Sequence, residues 1–470
     1  MQCRRYVSGF VFVNFVVPIW VAAQSQSDDT LLDTDLSTFA EFQNCFTGSN
    51  NEPSGAPRPV PPACLASFDI NGDLTIDLVD ARSVLFPPLC NPRWAKDLFS
   101  LDGINLSYGG GVYALTVFDD GTGPALYAGG GFTSAGGVAA NNIAKWNGAS
   151  WSALGSGLDD DVIALTVFDD GMGPALYAGG TFFHAGGNPA SRIAKWKGSS
   201  WSALGSGMND YVATLAVFND GTGSALYAGG NFSSAGGTPA NSIAKWNGSS
   251  WSALGSGFSG FLTFSPVWSL ADFNDGTGSA LYAGGFFYSA GGTPANSIAQ
   301  WNGSSWSALG SELDRGDAVS ALCVFNDGTG PALYAGGTIY LAGGTPVNNI
   351  AKWNGSSWSA LGTGITGVGV GQYAVYDLAV FHDGRRTALY AGGFFDSAGG
   401  TAVHNIAKWN GSTWKALGSG VSGGDRIVSS LAAFDDGTRP ALYAGGSFST
   451  AGGNVSLNIA KWYRPYWPCP

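Results

Sequence analysis

Oxygen-bearing side chains recur at Asp69, Asn71, Asp73, Thr75, Asp77 and Asp80. Counted from Asp69 they fall at loop positions 1, 3, 5, 7, 9 and 12, the spacing by which a tight turn wraps oxygen ligands around a calcium ion. These six residues are the candidate metal ligands, and Ca²⁺ is the expected cofactor. Leu74 stands at position 6, where such loops turn through positive φ and favour glycine, so a weak site is expected. An upstream loop that sets Asp35 and Thr38 at positions 9 and 12 has Leu31 where a ligand belongs.

Little else suits catalysis. The three histidines, His184, His382 and His404, are not spaced with another His or Cys as metal pairs. No nucleophile elbow or phosphate loop stands in a credible context. Carboxylates at Asp159 to Asp161, Asp314, Asp317 and Asp425 leave a carbohydrate-active enzyme as the alternative, because glycoside hydrolysis needs only two of them. Binding is the stronger expectation. Phe261, Phe264 and Trp268 lie in a long aromatic connection, with Tyr211, Tyr373, Asp314 and Arg315 as a polar rim. Aromatic rings beside charged groups suit stacking on a sugar or capture of a peptide.

The elements that position these residues come from repetition. The pattern ALYAGG, then IAKW, then a second Trp returns seven times, with its Tyr at 127, 177, 227, 282, 334, 390 and 443. Such a period marks a propeller or a solenoid. The first copy reads as four strands, Val112 to Phe118, Ala125 to Phe132, Asn142 to Trp146 and Trp151 to Leu154. Asp-Gly and Asn-Gly make the tight turns between the first and second and between the third and fourth. One such blade cannot bury both faces, so blades stack, and closing the stack removes its exposed ends. The expected fold class is all-β, a seven-bladed β-propeller of four-stranded antiparallel blades, with a small α-helical N-terminal module. Of 17 Trp, 14 fall into recurring pairs from Trp146 with Trp151 to Trp462 with Trp467, which means blade packing and not cofactor sites. Prolines after Trp462 damage the last fourth strand, and Arg93-Trp94 is placed to supply it from the N-terminal side.

Leu126-Tyr127-Ala128-Gly129-Gly130 with Trp146 and Trp151 resembles the kelch type of propeller repeat, over residues 91–470. That likeness implies a fold that hosts both enzymes and binding proteins. Strand parity puts the first-to-second and third-to-fourth turns on one face. The connections that differ between copies lie on the other, so function is expected there.

Residues 1–23 have the form of a signal peptide, with Arg4 and Arg5, an apolar run and a cut near Ala23. The protein is therefore expected to be secreted or cell-surface, with no membrane span after cleavage. Residues 24–90 form a separate module. Its loop, which ends in Asp80 and runs into a helix, is similar to the dockerin type, and the likeness implies docking or anchoring outside the cell. With export permitting disulfides, Cys45 is expected to pair with Cys64 and Cys90 with Cys469, leaving Cys323 as the odd thiol. A net charge of −12 without a basic cluster excludes nucleic acid. The expected partner is an extracellular protein or carbohydrate, and the chain is expected to be monomeric.

Overall fold

The computed structural model describes residues 92–95, 103–107, 109–260, 265–310, 313–367 and 374–464. The chain divides into two compact units, Met1–Asn91 with Pro465–Pro470, and Pro92–Arg464. The calcium-loop residues Asp69 to Asp80, the module helices, the signal peptide and Cys45, Cys64, Cys90 and Cys469 lie outside the described residues. Among the described residues no helix is long and apolar enough to cross a membrane.

Local chemistry builds each repeat. In the first, Val112–Asp119, Pro124–Gly130, Ile143–Trp146 and Trp151–Ala153 pair antiparallel in that order. Asp119 closes the first turn by accepting the N–H groups of Gly121 at 2.9 Å and Gly123 at 3.0 Å, the Asx geometry that Asp-Gly sequences favour. The second strand is buried from Ala125 to Gly130, so neither face can carry a polar or bulky exposed residue. A side chain is excluded at Gly129, whose Cβ would stand 2.5 Å from Val162 Cγ1 of the next repeat.

The same four-stranded antiparallel sheet recurs in every repeat, and the fold is all-β and propeller-like. Each core cluster is shared between neighbours, as where Phe118, Tyr127 and Ile143 of the first repeat pack with Val162, Leu176 and Trp196 of the second. Residues of the first and last repeats share a cluster too, Val112, Leu126 and Trp146 with Phe434, Tyr443 and Ile459.

In the last repeat, Arg93 and Trp94 pair with Tyr463 and Trp462 as the outer strand of the sheet. Trp462 meets Trp94, and Trp467, its expected pair, lies outside the described residues. A proline has no N–H for the ladder, and Pro465 and Pro468 follow Trp462.

The sequence reading has no strands between the second and third of each repeat, yet a small hairpin stands there, Phe132–Ala135 with Val138–Ala139 in the first. It turns at Gly136 and Gly137, whose φ values are 57° and 73°. Gly136 also leaves room for the indole of Trp151, since a Cβ there would meet its Cδ1 at 2.5 Å. The preceding connection adds a strand to this hairpin in several repeats, Ile104–Leu106 in the first and Phe258–Ser259 in the fourth.

Candidate functional site

The two faces differ as their sequences do. On the tight-turn face Asp120 receives Lys145 at 2.7 Å and the Tyr127 hydroxyl at 3.0 Å, and its other oxygen receives the Thr122 hydroxyl at 2.6 Å. Burial pushes the Asp120 carboxyl up, but Lys145, Thr122 and Tyr127 outweigh it and hold the group at about 2. The same Asp–Lys pair recurs at Asp170 with Lys195, Asp220 with Lys245, Asp327 with Lys352, Asp383 with Lys408 and Asp436 with Lys461. Gln300 replaces the lysine in the fourth repeat. These acids are turn braces, and the Lys of IAKW is their counter-ion.

Toward the other face, the first strands of all the repeats line one cavity of about 660 Å³. A β-bulge opens each of these strands, as the register shifts between Val112 and Ala114, Val267 and Ser269, and Val375 and Asp377 show. The extra residue of a bulge is released from the ladder and its side chain re-aimed. Here the extra residues are Tyr113, Trp268 and Tyr376, and all three line the cavity.

The residue after the bulge links neighbouring sheets. Ser430 Oγ accepts the Leu115 N–H at 2.9 Å, and Ser269 Oγ accepts the Leu322 N–H at 2.9 Å. Asp377 takes this role with a carboxylate: Oδ2 accepts the Leu431 N–H at 2.6 Å and Oδ1 its own neighbour's, Leu378, at 2.8 Å. Burial pushes the Asp377 carboxyl up to about 7 against these two hydrogen bonds, which pull it down. Asp161, on the same cavity, is also raised, by burial and then by Asp160.

The predicted ligand residues separate into three groups. Trp268 lines the cavity; Tyr211 is not in its lining, and burial pushes its hydroxyl up. Asp314 and Arg315 are not in its lining; the Arg315 guanidinium lies 4.6 Å from the centre of the Tyr288 ring, and the Asp314 carbonyl accepts the Asp317 N–H. Phe261, Phe264 and Tyr373 lie outside the described residues. The aromatic connection is shorter than expected: Trp268 belongs to the strand Val267–Asn274, and Phe258 is core, 4.5 Å from Phe287 and 4.7 Å from Trp306. Its burial answers the demand that large apolar side chains be covered.

Sequence reasoning missed Asp377, although a signal was present. Its counterparts in the other first strands are Ala114, Ala164, Thr214, Ser269, Ala321 and Ser430, so a single carboxylate interrupts a run of small residues.

A second cavity, of about 430 Å³, contains Asp159 and His184, joined Oδ2 to Nδ1 at 2.6 Å. The other Asp159 oxygen accepts the N–H groups of Phe183 and His184. Asn209 makes the equivalent bonds to Ser233 and Ser234 one repeat on, so the arrangement is a loop brace. Among the described residues no three His, Cys, Asp or Glu gather as a metal site. Cys323 is a free thiol, its pKa pushed by burial to about 12, which leaves it unreactive.

No protein-family model and no curated protein matches this chain. Among solved structures, the extracellular domain of BT4673 from B. thetaiotaomicron is similar at 12% identity and a TM-score of 0.27, over 74% of this chain and 57% of that one. Sqt1 of Saccharomyces cerevisiae is similar at 12% identity and a TM-score of 0.40, over 80% of this chain and 99% of that one. The chain thus spans less than two thirds of the BT4673 domain. Likeness at this level says nothing of function.

Proposed function

We propose that this is an exported, non-enzymatic binding or scaffolding protein. In this reading the repeats close into a seven-bladed, kelch-like propeller that recognises an extracellular carbohydrate or protein. Residues 24–90 are then a dockerin-like module that holds Ca²⁺ at Asp69, Asn71, Asp73, Thr75, Asp77 and Asp80 and anchors the protein after cleavage near Ala23. One observation carries the recognition role. Repeats that are nearly identical elsewhere diverge at the bulge, where Tyr113, Trp268 and Tyr376 face one cavity with Asp161 and Asp377. Aromatic groups with a few polar ones in a concave site are the ordinary means of holding a ligand.

The test is a glycan array probed with the full mature chain and with Trp268→Ala and Tyr376→Ala variants whose melting temperatures match it. Hits that weaken at least tenfold in both variants are expected. Hits indifferent to both would remove the cavity from the reading, and turnover of a bound glycan would make the protein an enzyme.

A further inference from the structure

Carboxylates are treated in two ways in this molecule. On the tight-turn face, six of the seven repeats give the second turn carboxylate a lysine, from Asp120 with Lys145 to Asp436 with Lys461. The cavity between the first strands carries Asp161 and Asp377, and among the described residues no Lys, Arg or His is in its lining. Tyr113, in the same lining, feels the field of Asp161 and Asp425. The Asp377 carboxylate has the Leu431 and Leu378 N–H groups as donors but no cation opposite it, and a recessed charge without a counter-ion is costly unless something positive enters. A serine serves the inter-sheet hydrogen bond at 269 and 430, so the charge at 377 is not needed for the fold.

Three aromatic side chains share the cavity with that charge, Tyr113, Trp268 and Tyr376. Aromatic faces attract ammonium groups through the ring quadrupole, most strongly for Trp and when water is excluded. Carboxylate, indole and phenol rings together fit a positive, partly apolar group better than a neutral sugar or an anion.

We propose that the cavity binds an organic ammonium group, with Asp377 opposing its charge and Trp268, Tyr376 and Tyr113 enclosing its alkyl or methyl surface. This rests on the recognition role proposed above and names the ligand chemistry. The ammonium belongs either to a free amine or to a lysine side chain of a partner protein, and the cavity's size leaves room for the rest of either molecule.

Isothermal titration of the full chain with n-butylammonium chloride against n-butanol at constant ionic strength tests the class. Saturable heat with the amine and none with the alcohol is expected. Nα-acetyl-lysine amide binding more tightly than n-butylammonium assigns a protein source, and weaker binding a free amine. Asp377→Ser, which keeps an acceptor for the Leu431 N–H, should weaken the amine at least tenfold without lowering the melting temperature. Should that variant not fold, Trp268→Ala is expected to give the same tenfold loss. Equal binding of n-butanol, or a folded variant that binds the amine as the parent does, overturns the proposal. A glycan hit that depends on Trp268 but not on Asp377 would leave the recognition role standing with a neutral ligand.

Discussion

The rings of Trp94 and Trp462 meet edge to face with centroids 5.3 Å apart, although 368 positions separate the two residues in the chain. The Trp94 indole N–H donates to the Leu417 carbonyl at 2.9 Å, as Trp201 does to Leu154 and Trp414 to Leu361. Trp94 therefore does for the last sheet what the fourth-strand Trp does elsewhere. Trp94→Ala should cost about 3–5 kcal/mol, the range for truncating a buried Trp. Urea unfolding followed by Trp fluorescence checks this, and an unchanged midpoint would show that the last sheet does not need its N-terminal strand.

Acid should unfold the protein through the turn braces. Asp120, Asp327 and Asp436 are held at about 2, below the usual carboxylate value, by Lys, Thr and Tyr partners that outweigh burial. Their stabilisation is complete above the unfolded value, about 4, and disappears as pH falls through about 2. A melting temperature level from pH 7 to 5 and falling steeply below 4 is expected by calorimetry. Lys145→Gln, the residue that the fourth repeat has at Gln300, should cost about 1–2 kcal/mol at pH 7.

The Gly-Gly doublet makes room for the bulge. A Cβ at Gly130 would stand 2.0 Å from the Gly111 carbonyl oxygen, whereas one at Gly121 would meet nothing within 4 Å. Gly130→Ala should therefore cost about 3 kcal/mol or more, through a rigid backbone clash. Gly121→Ala should cost only about 1–2 kcal/mol, from its φ of 96°. Comparable denaturation midpoints for the two would refute the ordering.

Asp377 should weaken the fold where it is ionised. Its folded value, about 7, lies above the unfolded one, so the folded state holds the proton longer and stability falls as pH rises from about 4 to 7. Asp377→Ser should raise the melting temperature by a few degrees at pH 8 and leave it nearly unchanged at pH 4. A variant less stable than the parent at pH 8 would mean that the charge supports the fold.

Calcium should bind the full mature chain with measurable heat, lost in Asp69→Ala and Asp80→Ala. Equal heat in parent and variants would place the ion elsewhere.

The repeats, their four strands, the tight turns and the N-terminal origin of the last outer strand were all legible in the sequence. Alternating apolar residues, Asp-Gly and Asn-Gly turns and paired Trp are local signals that act within a few residues. What local pattern does not encode is which side chain a bulge sends to the cavity, because the bulge exists only when Val112 or Val375 pairs across to its glycine. Trp268 looked like loop and stands in a strand, and Asp377, which lines the cavity, went unread where the other copies have Ala, Thr or Ser. The sequence alone thus determined the repeating sheet. Only tertiary packing gathered residues from every distant copy around a shared cavity, since a site made of strands about 50 residues apart is set by how sheets stack and not by how any one of them folds.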